Sequence, residues 1–197
     1  MMGEIMTEDK KILEGQLREC YGRVVYTHKT HEKCADILLK KDNKIKVLNI
    51  ILSAIIAGGL ITIVFDFAYF QPYKKIGSFI AAIIATIQLV LNSYTKDYDL
   101  GAIAQKHRQA GADLWLIREK YLSLLTEIRF SSANLTNIIS QRDKLMAELH
   151  SVYTGAPSTD YKSYQAAQKA LKELEDMTFS DEEIDKFLPK ELKRKQQ

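Results

Sequence analysis

Cysteine, proline and glycine are all scarce in this chain of 197 residues. Two cysteines, Cys20 and Cys34, cannot make a disulfide framework. Three prolines and nine glycines argue against a β-sandwich, a collagen-like chain or a long disordered tract. Charge of one sign is also missing: 28 Lys and Arg against 25 Asp and Glu leave a net +3. On a mixed-sign surface that is too little to suggest nucleic acid as a partner. The length fits one domain, or one domain with an appendage. A mean hydropathy of −0.19 looks like that of a soluble protein, but the average hides an uneven distribution. Residues 47–65 and 76–94 contain no Asp, Glu, Lys or Arg at all, while the rest of the chain is charge-rich.

The first of these stretches reads VLNIILSAIIAGGLITIVF. As a helix it would be roughly 28 Å long, close to the hydrocarbon thickness of a bilayer. Its Val, Ile, Leu and Phe side chains outweigh one Asn, one Ser and two Gly on an insertion scale. The second, IGSFIAAIIATIQLVLNSY, is less apolar and carries Gln88 and Asn92. Residues 66–75 between them contain Pro72, which breaks a continuous helix and suits the turn of a hairpin. Neither stretch has a polar face, and a domain this small rarely hides two helices that are apolar all round. Two membrane spans are therefore expected. Forty-six mostly polar residues precede the first span, which does not fit a secretory signal peptide.

Cationic residues set the expected orientation. Lys29, Lys33, Lys40, Lys41, Lys44 and Lys46 precede the first span, and Lys96, Lys106 and Arg108 follow the second. The connecting turn has only Lys74 and Lys75. Short segments rich in Lys and Arg stay in the cytoplasm, so both termini are expected there. Phe65, Phe67, Tyr69, Phe70 and Tyr73 at the outer turn read as an aromatic belt at headgroup level. A cytosolic setting keeps both thiols reduced.

Outside the spans, apolar positions recur three and four apart. Leu100, Ile103, His107, Ala110, Leu114, Ile117, Tyr121, Leu124 and Ile128 form one seam. Leu135, Ile138, Leu145, Leu149 and Val152 resume it after the soft point at 131–134, which is either a turn or continuous helix. Leu13, Leu17, Cys20, Val24, His28, His31, Ala35 and Leu38 form a matching stripe before the first span. The stripes are expected to pack on each other, with each span running straight into its cytosolic helix. A short helix is expected over 161–176, with Tyr164, Ala167, Leu171 and Leu174 on one side. Ser180 and Glu183 form a capping box, flanked by Phe179 and Ile184 at staple positions, for a small helix that stops at Leu188 before Pro189. The expected fold is thus all-α, a two-helix transmembrane hairpin continuous with a cytosolic long-helix bundle. It divides into 1–46 (N-terminal amphipathic helix), 47–94 (hairpin), 95–154 (long helix or helical hairpin) and 155–197 (short helices and a basic tail).

Signs of catalysis are absent. Gly58-Gly59 lies inside an apolar span and cannot cradle a nucleotide as a P-loop does, and there is no nucleophile elbow. His28, His31 and Cys34 are the one cluster of metal-ligand types, but no fourth ligand accompanies them, and a bundle seam explains them better. Asp97 and Asp99 read as helix-start or headgroup-level residues. No enzyme, cofactor or metal is expected. The polar residues of interest are intramembrane: Ser78, Ala81, Ala85, Gln88 and Asn92 share one face of the second span. Asn49, Ser53 and Ala57 line up on the first, beside the small pair Ala54 and Gly58. These stripes either hold helices together or line an axial pathway in an oligomer.

The lead-in HKTHEKCADILLKKDNKIK, the two adjacent uncharged spans and the helix DLGAIAQKHRQAGADLWLIREKYLSLL together resemble the SLATT family of two-span effectors from bacterial conflict islands. The resemblance covers about residues 10–154. It implies an oligomeric effector that damages the inner membrane, as a pore, when a partner sensor detects phage infection. That sensor would be a separate protein, or a nucleotide second messenger would bind between protomers. The alternative is a non-conducting scaffold whose cytosolic helices dock a partner enzyme; an accessory transporter subunit is a third class.

Overall fold

The computed structural model describes residues 8–64, 74–130, 132–174, 177–189 and 193. The aromatic belt proposed for Phe65, Phe67, Tyr69, Phe70 and Tyr73 lies outside the described residues, as does the basic tail apart from Lys193. Among these residues six helices follow in order: α1 (Glu8–Val64), α2 (Lys74–Asp97), α3 (Leu100–Glu127), α4 (Leu135–Gly155), α5 (Tyr161–Lys172) and α6 (Asp181–Phe187). Among the described residues there is no strand, and the all-α expectation holds.

α1 is one helix of 57 residues, about 85 Å long at 1.5 Å per residue. No proline interrupts it, and Glu8 and Asp9 in its first turn complement the helix dipole. Its first half is amphipathic and its last part apolar, so the N-terminal stripe runs without a break into the first span. The second span does not do the same. α2 ends at Asp97, and Asp99 turns the backbone into an extended conformation with ψ 91°. The Asp99 carboxylate then accepts from the Ala102 amide at 2.8 Å and caps α3. Straight continuation from span to seam is thus corrected to a capped joint, because a capping aspartate offers the free amides of a new helix a better partner than an unbroken turn would. Asp99→Ala should cost about 1 kcal/mol and loosen this joint. Faster hydrogen exchange at residues 100–103 would report it.

Beside α1 the chain returns antiparallel. Leu17, Val24, Leu114, Ile117, Tyr121, Leu124 and Ile128 form a buried seam between α1 and α3, joined by Ile138 and Leu145 from α4. The end of α3 at its C-cap Ile128 settles the ambiguity there: α3 and α4 are separate, and Asn134 caps α4 by accepting from the Asn137 amide at 3.2 Å. Lys10 Nζ reaches the Phe130 carbonyl at 2.9 Å, Arg129 pairs with Glu14, and Arg142 donates to Gln16 at 2.6 Å. These tie the far end of α1 to the turn and to α4.

α5 departs from expectation. It ends at Lys172 and buries Ser163, Ala167 and Ala170, leaving Tyr164 and Leu174 exposed. The small face wins because it lets the α5 backbone approach α1 closely, which the bulkier Tyr164 face would prevent. α6 carries the expected reciprocal capping box between Ser180 and Glu183 and gives way at Leu188.

Candidate functional site: the polar hairpin seam and the histidine junction

Among the described residues, the apolar parts of α1 and α2 are covered by nothing but each other. Ile50, Leu60, Phe79, Leu89 and Val90 are all more than half exposed, and none of either apolar window is buried within the protein. A soluble bundle cannot leave two such surfaces in water, whereas a bilayer solvates them.

Where the two spans meet, Ile45, Asn49, Leu52, Ile56 and Gly59 are the partly covered positions of α1, and Ala81, Ile84, Gln88, Leu91 and Thr95 those of α2. Both sets alternate three and four apart. Gln88 Nε2 donates to Ser53 Oγ at 2.5 Å and to the Asn49 carbonyl at 3.4 Å, crossing between helices inside the apolar layer. Asn49 Oδ1 is buried beside it without a donor. A polar amide in lipid needs such a partner, so this bond fixes the register of the hairpin. Close approach occurs at Gly59, where a Cβ would stand 4.0 Å from Ala81 Cβ. The residues singled out in the sequence therefore divide. Ala81, Gln88, Asn49 and Ser53 come together. Ser78, Ala85 and Asn92 are exposed at the edge of the contact, the Ser78 hydroxyl bonding only its own helix at the Lys75 carbonyl. Ala54, Ala57 and Gly58 are exposed on the far side of α1, and a Cβ at Gly58 meets nothing within 4 Å.

A second polar cluster sits in the bundle, where α1, α3 and the start of α5 converge. His31 Nδ1 and His107 Nδ1 are 2.9 Å apart, and both rings are buried. One ring must carry its proton on Nδ1 and the other must present a lone pair there, so the pair is held as two neutral tautomers. Burial, and then the neighbouring His107 and His28, push the His31 imidazolium down to about 4. Burial also lowers His107, against the pull of Asp160. Asp160 caps α5, one carboxylate oxygen accepting from the Ser163 amide at 2.8 Å and the other from the Ser163 hydroxyl at 2.9 Å, with Cys34 Sγ 4.0 Å from that second oxygen. His28, His31 and Cys34 thus lie at a bundle seam, and Cys20 and Cys34 are both free thiols. Among the described residues no three His, Cys, Asp or Glu side chains are placed to hold a metal ion. The seam periodicity placed His107 in the core, but not opposite His31. Asp160 went unnoticed, although an aspartate just before a helix is a capping signal.

Beside this junction an open cleft of about 580 Å³ separates α1 from α3, lined by His28, Glu32, Asp36, Arg108, Gly111 and Trp115. On another side of α1, Gly22, Arg23, Tyr26, Tyr153 and Tyr164 line a groove of about 550 Å³.

No curated protein and no solved structure matches the chain. A family model does: SMODS and SLOG-associating 2TM effector domain family 4 matches residues 13–183. The match extends past the region near residue 154 where the sequence resemblance stopped, so α5 and the start of α6 are part of the domain. With two uncovered apolar helices joined by a polar seam above a helical bundle, the chain belongs to the SLATT family of two-transmembrane effector domains, membrane effectors of conflict systems.

Proposed function

We propose that this chain is a pore-forming effector of the bacterial inner membrane. Several copies assemble, both termini lie in the cytoplasm, and a separate partner sensor in antiphage defence triggers the pore through the bundle. The observation that carries this reading is the half-used polar stripe of α2. Gln88 is satisfied by α1, whereas Asn92, Ser78 and Ala85 lie exposed at the edge of that contact. Two spans cannot enclose a conduit by themselves, so this face either meets other copies or borders an aqueous path between them. The lysines flanking the spans on the bundle side support a cytoplasmic bundle.

Purified protein in liposomes should release a trapped ion, and Asn92→Arg or Ala85→Leu should abolish that flux while leaving membrane insertion intact. Triggered toxicity in cells with an undisturbed membrane potential would overturn the pore and favour a non-conducting scaffold that docks a partner enzyme.

A further inference from the structure

At the bundle end of the hairpin, one flank is both cationic and aromatic. Lys40, Lys41 and Lys44 of α1 are exposed there, and among the described residues no carboxylate pairs with any of the three. Tyr94 and Tyr98 of α2 are exposed as well, stacked on each other with ring centroids 5.1 Å apart.

Helix geometry puts both sets on the same side. The contact between the spans runs through Ile45 on α1 and Thr95 on α2, both partly covered. At 100° per residue, Lys41, Lys44 and Lys40 lie about 40°, 100° and 140° to one side of Ile45. Tyr98 and Tyr94 lie about 60° and 100° in the same rotational sense from Thr95. Because the helices run antiparallel, these are one flank of the hairpin. The acids of this level are elsewhere. Asp42 is buried on the other side of Ile45, paired with Lys46 at 2.7 Å. Asp99 caps α3, and Asp97 lies about half a turn around α2 from Thr95.

Depth agrees as well. Lys44 and Lys40 precede the charge-free stretch at Val47 by about 4.5 and 10 Å along an unbroken helix, which holds them at fixed height. Counted in equal rises from the Gln88–Ser53 bond, Tyr94 is level with Val47 and Tyr98 with Asn43. A Cβ at Gly101 would stand 3.6 Å from Asp42 Oδ2, which keeps the joint at that level. Headgroups add roughly 5 Å or more to each side of the hydrocarbon, and a charged surface acts over a Debye length of about 8 Å. Tyrosine, with an apolar ring and a polar tip, suits the boundary between the two layers.

We infer that this flank binds the anionic phospholipid headgroups of the leaflet on the bundle side. The ammonium groups of Lys40, Lys41 and Lys44 take phosphate oxygens, and Tyr94 and Tyr98 sit at the hydrocarbon edge beneath them. Lysine fits this use, since its stem lies along the helix while its head reaches a phosphate as a point charge. On the other flank Lys46 is neutralised by Asp42, so lipid charge is recognised on one side of the hairpin. The inference rests on the two helices crossing a bilayer and needs no pore.

The test reconstitutes full-length protein in vesicles of phosphatidylcholine and phosphatidylglycerol in equal parts. Electron paramagnetic resonance then reads how much of a spin-labelled lipid of each kind the protein holds motionally restricted. Wild-type protein should restrict phosphatidylglycerol in preference to phosphatidylcholine, and the triple variant Lys40→Gln, Lys41→Gln, Lys44→Gln should lose that preference. Lys40→Arg, Lys41→Arg, Lys44→Arg should keep it. So should Lys11→Gln, Lys144→Gln, Lys169→Gln, which removes the same charge from elsewhere in the bundle. A preference unchanged in the first triple overturns the inference, as does an equal loss in the last. Loss of the wild-type preference on adding inorganic phosphate at constant ionic strength gives the lysines to a free anion and overturns the lipid. Restriction of both lipids without preference overturns this flank and leaves the spans standing. Restriction of neither lipid overturns the membrane placement with it.

Discussion

Leu114→Asp is expected to unfold the polar bundle while leaving the hairpin in the membrane. Leu114 is fully buried at the centre of the α1–α3 seam, among Leu17, Val24, Ile117 and Tyr121. Truncation to alanine there should cost about 2–5 kcal/mol from lost burial and the cavity left behind. Aspartate adds an unpaired carboxylate in an apolar interior, so the total exceeds ~5 kcal/mol, comparable with the whole stability of a small domain. Trp115, the single tryptophan, stands next to it and is half exposed, so its fluorescence reports the change directly. Urea titration in detergent should show no cooperative transition for Leu114→Asp and an earlier midpoint for Leu114→Ala. Helical content from the spans should persist in both, because each span forms its backbone hydrogen bonds internally.

The histidine junction sets the second large effect. The His31 pKa is lowered from 6.5 to about 4 in the folded protein. Between those values the unfolded chain binds the extra proton and the folded one does not. Stability therefore rises with pH through this window and is lost as pH falls from about 6.5 towards 4. The difference amounts to about 3 kcal/mol for His31, with a further loss in the same direction from His107. Asp160 does not blur the result. Hydrogen bonds from Ser163 hold its carboxyl below the usual 3.8, so its contribution is lost only at still lower pH. Urea midpoints between pH 7.5 and 4.5 should fall steeply for the wild-type protein. The double variant His31→Asn, His107→Asn should keep a side-chain hydrogen bond and flatten that slope. An equally steep slope in the variant would place the acid sensitivity elsewhere. Cys34 and Asp160 meet at the same point, so protonation of the pair loosens the anchorage of α5 together with the α1–α3 seam.

These effects locate what was readable in the residues themselves. Charge-free stretches of bilayer length are a local property of composition, so the spans at 47–65 and 76–94 needed no tertiary information. The same holds for the three-four spacing of Leu114, Ile117, Tyr121 and Leu124, because a helix repeats every 3.6 residues whatever it packs against. The capping box at Ser180 and Glu183 was legible for a similar reason: both partners lie within one turn. Gln88 stood out because an amide in lipid must find a partner, and the partner, Ser53, sat among the polar residues of the other span.

Other readings changed. α5 turned its Ser163, Ala167 and Ala170 face inward, because the surface of α1 admits a close backbone and not a row of larger side chains. The joint at Asp99 replaced an unbroken helix, because the Asp99 carboxylate caps α3 by taking the Ala102 amide. Composition and periodicity by themselves determined which segments are helical, which two are greasy enough for lipid, and which face of each long helix is apolar. Only the tertiary structure decided that His31 meets His107 and that Asp160 stands beside Cys34. Helix periodicity fixes a residue's angle about its own axis, whereas contacts between helices 76 or 126 residues apart depend on how whole helices cross.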